Sequence, residues 1–275
     1  MLSKKYLYLE ASFALNANLL IQIQTAMAKN TGIIKIQGLL DGNVFYRRNG
    51  KDIIQTKGGF DGTRIKSEER YEKTRQLGTE FGNCARQASA IKAVLQPFLS
   101  PIPDPYIYNW IQSLLVKVKN CDTSSGFGAR NAHSGLQTVT GKKLLENFQF
   151  NRLRHLNTVL QNFSFDLDTC NLTITANAVP VLFPKSASHA AVQLVLLRLD
   201  LKKPDAVLAL SENYILPHQL AMKENLILNA TAPQGDGILI GLVSVRFANQ
   251  HGDSFTFQKS EKNVLGIVSL SDLSV

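Results

Sequence analysis

Asn49-Gly50, set between Asn43-Val44-Phe45-Tyr46-Arg47-Arg48 and Lys51-Asp52-Ile53-Ile54-Gln55-Thr56, constrains this chain more tightly than any other pair of residues. A two-residue hairpin loop of type I′ needs positive φ at both central positions, and Asn followed by Gly meets that need best. With a loop of two the register follows by counting. Arg48 faces Lys51, Arg47 faces Asp52, Tyr46 faces Ile53 and Phe45 faces Ile54. Arg47 and Asp52 then form a cross-strand ion pair. The two aromatic–aliphatic pairs fall on opposite faces, so both faces of the ribbon want cover from another element or another subunit. Gly32-Ile33-Ile34-Lys35-Ile36-Gln37-Gly38 reads as a short strand before the hairpin, and Lys57-Gly58-Gly59 ends it.

After the hairpin the period changes from two to three and a half. Leu77, Phe81, Cys84, Ala88, Ile91, Leu95 and Phe98 alternate spacings of four and three, the seam of a helix packed on another helix. Pro97 and the following Ser-Pro-Ile-Pro-Asp-Pro predict a stop near residue 96. Ile107, Ile111, Leu114 and Val118 repeat the pattern beside Trp110, with Lys117 and Lys119 in the last turn, where they complement the helix dipole. Two stripes joined by a short proline turn predict an antiparallel helical hairpin, and Gly78 and Gly82 would let its helices approach closely. Residues 120–141 hold no apolar period and read as a linker or docking loop, which places a domain boundary near 145.

From there the pattern is β to the end. Candidate strands are 156–166, 171–177, 191–201, 206–216, 225–231, 237–247, 254–259 and 264–270, separated by turn clusters such as Lys203-Pro204-Asp205 and Gln250-His251-Gly252-Asp253. That count and spacing predict an immunoglobulin-like β-sandwich, although no Cys–Trp–Cys framework marks a true immunoglobulin domain. The expected fold class is α+β, mainly β. Its parts are a leader or extension at 1–26, a hairpin and helical-hairpin module at 27–145, and a sandwich at 146–275.

Charge separates the two modules. Residues 27–130 hold 16 Lys and Arg against 9 Asp and Glu, whereas 131–275 hold 12 against 11. A basic module attracts phosphate backbones, anionic lipid or an acidic protein, or is simply well solvated. Tyr46, Arg47, Arg48, Lys51 and Lys57, with Arg64 beyond, resemble the basic aromatic ribbons that enter nucleic-acid grooves. The plainer alternative is a charged tip that contacts only water.

The search for chemistry is largely negative. No phosphate-binding GxxxxGK[ST], GxSxG, HExxH or paired-cysteine pattern occurs. Cys84, Cys121 and Cys170 are odd in number and far apart, which argues against a disulfide framework or a zinc site. His133, His155, His189, His218 and His251 are scattered among turn residues. Gly126-Phe127-Gly128-Ala129-Arg130 could form an anion-binding nest, but it does not lead from a strand into a helix as phosphate loops do. Asp166, Asp168 and Asp236 sit where aspartate bonds its own turn. No catalytic residue, metal site or cofactor is expected.

The run Gly32-Ile33-Ile34-Lys35-Ile36, Phe45-Tyr46, Gly50, Lys57-Gly58-Gly59, Arg64-Ile65, Tyr71, Thr74-Arg75 and Glu80-Phe81-Gly82 resembles the N-terminal half of a family of uncharacterised bacterial proteins. The similarity covers about residues 27 to 150, with a looser likeness in the β-rich remainder. It departs at Leu39-Leu40-Asp41, where the family has a small, glycine-rich turn, and in residues 1–26. The resemblance implies architecture and a start at Met27, and transfers no catalytic residue. With Met27 as start the protein is expected in the cytoplasm. The alternative is export, with Lys4, Lys5 and the Ala26-Met27-Ala28 site acting as a signal peptide, although polar residues interrupt its apolar segment. No stretch of about 20 apolar residues predicts a transmembrane span.

These readings converge on a non-catalytic structural or protein-interaction protein that assembles through its N-terminal module. Nucleic-acid binding by the basic hairpin is the alternative.

Overall fold

The computed structural model describes residues 28–29, 36–57, 62–176, 183–218 and 224–271. The chain divides into two compact units, Met1–Tyr71 and Glu72–Val275. It is an α+β protein whose sheets are antiparallel throughout.

The first unit carries β1 (Ala28–Lys29), β2 (Gly38–Leu40), β3 (Asn43–Arg48) and β4 (Lys51–Thr56), in the sheet order β1-β4-β3-β2. The β3–β4 hairpin has the register expected from its loop, from Arg48 opposite Lys51 to Phe45 opposite Ile54. Asn49 and Gly50 take φ of 51° and 76°, the mirror-image turn that only such residues adopt cheaply. Asp41 and Gly42, at 46° and 72°, make a second turn of the same kind between β2 and β3. Asp-Gly carries the same hairpin signal as Asn-Gly, so a strand at 38–40 was legible. The strand expected at 32–38 falls largely outside the described residues, as do 1–26. Beyond the hairpin lie the short helix α1 (Gly62–Ser67) and a single 3₁₀ turn, Glu69–Tyr71.

The second unit opens with α2 (Glu72–Leu99), which packs on α3 (Ile107–Asn120) as an antiparallel pair. Cys84, Ala88, Ile91, Leu95 and Phe98 are buried as the seam predicts, but Leu77 and Phe81 are 45% and 55% exposed. In the N-terminal half of α2 two inward positions are polar, Glu80 because the helix there packs against a polar loop and Gln87 because it donates to the Leu201 carbonyl at 2.6 Å. The helix also runs past Pro97 to Leu99. Burial of Phe98 and Leu99 offsets the single backbone hydrogen bond that proline removes. Gly78 and Gly82 face open space, so they do not mediate helix contact.

Close approach is provided elsewhere, in the segment expected to be a linker. Residues 120–141 lead through α4 (Ala132–Leu136) into α5 (Val139–Glu146), each with a side-chain cap. Asn131 Oδ1 accepts from Ser134 N at 2.8 Å, and Thr138 Oγ1 accepts from Gly141 N at 3.0 Å. A Cβ on Gly135 would lie 2.0 Å from the Val118 carbonyl oxygen, so α4 packs directly on the backbone of α3. Residue 145, where a boundary was expected, lies inside the unit. Leu145 belongs to one apolar cluster that joins α2, α3 and α4 to Val195, Leu197, Leu199, Ile240 and Leu242 of the sheet. A boundary cannot fall where helices and strands share one core.

The sheet elements are α6 (Leu156–Val159), β5 (Phe163–Asp166), β6 (Asn171–Ile174), β7 (His189–Asp200), β8 (Asp205–Leu210), β9 (Tyr214–Pro217), β10 (Leu226–Asn229), β11 (Ile238–His251), β12 (Ser254–Phe257) and β13 (Val264–Leu270). β7 and β11 pair over eleven positions, from Ile238 opposite Leu199 to Ala248 opposite His189, and are buried along almost their whole length. Their edges are split: β8 and β9 both pair with β7, and β12 and β13 both pair with β11. That accounts for the expected strand at 206–216 appearing as two. The expected strand at 156–166 begins instead as α6.

A three-stranded sheet, β10-β6-β5, covers one face of the six-stranded sheet through Leu172, Ile174, Leu194, Leu196, Val243 and Val245, and the helices cover the other. The C-terminal region therefore differs from a free-standing sandwich. Its larger sheet is the middle layer of three, which is why β7 and β11 read as continuous apolar runs.

Candidate functional site

The hairpin sorts the basic residues by face, because side chains alternate along a strand. Tyr46, Arg48 and Lys51 share one face, with Arg48 directly opposite Lys51 and Tyr46 two pairs behind. The Tyr46 hydroxyl donates to Gln55 Oε1 at 3.4 Å. Arg47 lies on the opposite face, 3.9 Å from the Asp52 carboxylate, so its charge is partly answered within the hairpin. Lys57 follows β4, its backbone N–H donating to the Gly42 carbonyl at 2.6 Å. Arg64, on α1, donates to Glu68 at 2.5 Å. The six residues singled out in the sequence thus resolve into a Tyr46–Arg48–Lys51 face, with Arg47 and Arg64 each held by a carboxylate. Val44, Phe45, Tyr46, Ile53 and Ile54 are all half-buried, and none is fully buried. On edge strand β2, Leu39 and Leu40 are exposed.

The glycine-rich loop at 126–130 does bind an anion, and the anion is the chain's own Glu80. Glu80 is 1% exposed. Its Oε1 accepts from Gly128 N at 2.8 Å, Arg130 N at 3.3 Å and Arg130 Nε at 3.1 Å. Its Oε2 accepts from Arg130 Nη2 at 3.0 Å and from the buried Lys119 Nζ at 2.5 Å. Burial by itself would raise the Glu80 pKa, but hydrogen bonds from Arg130, Lys119 and Gly128 overcome that and hold it at about 2. The nest is therefore filled and unavailable to an external phosphate. Lys119, which reads as a surface residue capping a helix dipole, is a buried partner in this cluster.

Asp122 organises the same loop. Its Oδ1 accepts from the backbone of Ser124 and Ser125 and from the Ser124 hydroxyl, and its Oδ2 accepts from Asn131 N at 3.1 Å. Burial opposes ionisation here too, and the hydrogen bonds from Ser125, Asn131 and Ser124 hold its pKa well below the usual carboxylate range. Two buried carboxylates with every oxygen bonded make a rigid scaffold for the loop that leads into α4.

A second buried cation, Arg246 of β11, lies under the helical layer. Its Nη2 donates to Gln193 Oε1 at 2.9 Å and Asn213 Oδ1 at 3.0 Å, and its guanidinium rests 4.3 Å from the Phe257 ring centroid and 5.0 Å from that of Phe98. Desolvation lowers its pKa. Carbonyl oxygens and ring faces surround it in place of a carboxylate, and its buried Nε has no hydrogen-bond partner among the described residues.

Asp166 is a turn residue, accepting from Asp168 N and Thr169 Oγ1. Cys84, Cys121 and Cys170 are free thiols. Among the described residues no three His, Cys, Asp or Glu side chains are grouped to hold a metal, and no helix is long and apolar enough to cross a membrane. No local motif marks the basic groove around Trp110, where the separately unremarkable Lys117, Lys143, Arg152 and His155 converge. No protein-family model matches the chain, and no curated protein or solved structure matches it.

Proposed function

We propose that the chain is a non-catalytic interaction protein that binds by strand addition at the open edge of its N-terminal sheet, a second copy of itself being the first partner. The observation that carries this reading is β2. Leu39 and Leu40 are 58% and 55% exposed on a strand that among the described residues forms the edge of its sheet, beside a hairpin with no fully buried apolar side chain. Unpaired N–H and C=O groups along an edge template another strand, and side chains that alternate between faces supply the specificity. The test is light scattering over a range of concentrations. The expected result is a mass above the 30.4 kDa monomer, returned to monomer by Leu39→Lys with Leu40→Lys. A protein that stays monomeric at high concentration overturns the reading.

One observation favours a second reading, nucleic-acid binding at the hairpin tip. Arg48 and Lys51 are like charges placed directly opposite one another, an arrangement that costs stability unless an anion joins them, and Tyr46 lies on the same face. Such binding weakens steeply with salt as counterions are released, and Arg48→Ser with Lys51→Ser should remove it. No binding to single- or double-stranded probes at low salt eliminates it.

A further inference from the structure

The geometry points to a nucleotide-binding groove in the second unit, in which a planar base stacks on Arg152 and the attached phosphate is held by Lys117, Lys143 and His155. The ligand is a phosphorylated nucleoside, either free or as one unit of a single strand.

The groove has a volume of ≈ 620 Å³, within the usual range for small-molecule sites. It lies between one face of α3, one face of α5 and the segment that follows α5. Trp110 and Lys117 sit seven residues apart on α3 and so project on the same side. Lys143 comes from α5, while Phe148, Arg152 and His155 come from the chain after it. All four basic residues are exposed, and none has a carboxylate partner among the described residues. Among the described residues no Asp or Glu lines the groove. Asp104 and Glu261 line an adjoining cleft that shares Trp110 and Arg152, and Glu146, at the end of α5, lines neither. Lys117, Lys143 and Arg152, unpaired cations gathered in a concave site, raise the local concentration of an anion.

The aromatic part is built rather than incidental. Trp110 Nε1 donates to Asp104 Oδ2 at 3.1 Å, and Asp104 Oδ1 accepts from Tyr106 N at 2.7 Å, so the indole is fixed from below. The Arg152 guanidinium lies 3.9 Å from the Trp110 ring centroid and is thereby held as a flat, charged plate. Guanidinium planes, like aromatic rings, are platforms for unstacked bases, and their N–H edge pairs with phosphate. A stack of Trp110, Arg152 and base, with Lys117, Lys143 and His155 nearby for the phosphate, uses every basic side chain that lines the groove. A bare phosphate would leave the Arg152–Trp110 plate unused, and an acidic peptide offers nothing flat to lie on it.

Trp110 is the chain's single tryptophan, so intrinsic tryptophan fluorescence reports on this groove and on no other place in the molecule. The full-length protein is titrated at low salt with AMP, ATP, an oligothymidylate, inorganic phosphate and polyglutamate. Saturable quenching by a nucleotide or the oligonucleotide, much weaker with inorganic phosphate and absent with polyglutamate, is the expected result. Equal affinity for AMP and the oligonucleotide identifies a free nucleotide as ligand, and markedly tighter binding of the oligonucleotide identifies a strand. Lys117→Ser with Lys143→Ser should weaken binding by about tenfold or more through loss of charge-assisted contacts, and Arg152→Ala should reduce it further. All three side chains are exposed, so these variants fold. Arg48 and Lys51 are unchanged in them, so binding at the hairpin would survive in the variants. No quenching by any nucleotide, quenching equal for phosphate or polyglutamate, or quenching indifferent to the lysine substitutions overturns the inference.

Discussion

Replacing Glu80 by glutamine tests whether the loop between α3 and α4 is held by a buried charge. The substitution keeps the side chain's shape and one accepting oxygen. It leaves Lys119, whose side chain is 6% exposed, as a buried cation without its carboxylate, and it removes half of the bidentate contact to Arg130. Removing one partner of a buried pair costs about 3 to 5 kcal/mol. An independent figure comes from proton linkage. A carboxyl that titrates at 4.5 when unperturbed and at about 2 in the folded protein stabilises the fold by about 3 kcal/mol when ionised. The sign follows from the depressed value: the contribution is complete above 4.5 and is lost as pH falls toward 2. Glu80→Gln should therefore lower stability by about 3 kcal/mol at neutral pH, or roughly 6 to 12 °C in melting temperature for a unit of this size. Near pH 2 the gap from wild type should shrink to less than about 1 kcal/mol. Urea unfolding followed by helical circular dichroism at descending pH measures both curves. Asp122 titrates in both proteins, so their difference isolates Glu80. A gap that does not change with pH, or no gap at neutral pH, would refute the argument that this carboxylate is charged and holds the loop.

Leu95→Ala should cost about 2 to 5 kcal/mol, because Leu95 is fully buried between the helices and the sheet. Phe81→Ser on the same helix should change the unfolding free energy from urea titration by no more than about 0.5 kcal/mol, so equal effects of the two would show that the seam is misplaced. Gly241→Ala should destabilise the second unit, since its Cβ would come within 2.4 Å of the Phe165 ring where the two sheets meet; an unchanged melting temperature would contradict that packing. Gly50→Val should weaken the hairpin, because φ of 76° is costly for a β-branched residue, and amide exchange across β3 and β4 should quicken.

Local interactions were legible from the residues alone. Asn49-Gly50 set the hairpin's register to the residue, because turn geometry depends on two adjacent dihedral pairs and on nothing distant. Runs such as 191–201 and 237–247 announced their strands, because a period of two or an unbroken apolar stretch is a property of the segment itself. Asn131 and Thr138 carry the local signature of helix caps and Asp41-Gly42 that of a hairpin turn. What only the tertiary structure decided is which partner each local element meets. Lys119 and Arg130 stand 39 and 50 residues from Glu80 along the chain, and nothing local distinguishes a carboxylate that will fill a distant glycine nest from one that will face water. The same holds for Trp110 and Arg152, and for the third layer that turned an expected sandwich into a sheet covered on both faces. A side chain's role in such places is set by desolvation and by charges brought close through folding, and those depend on distances that sequence separation does not encode.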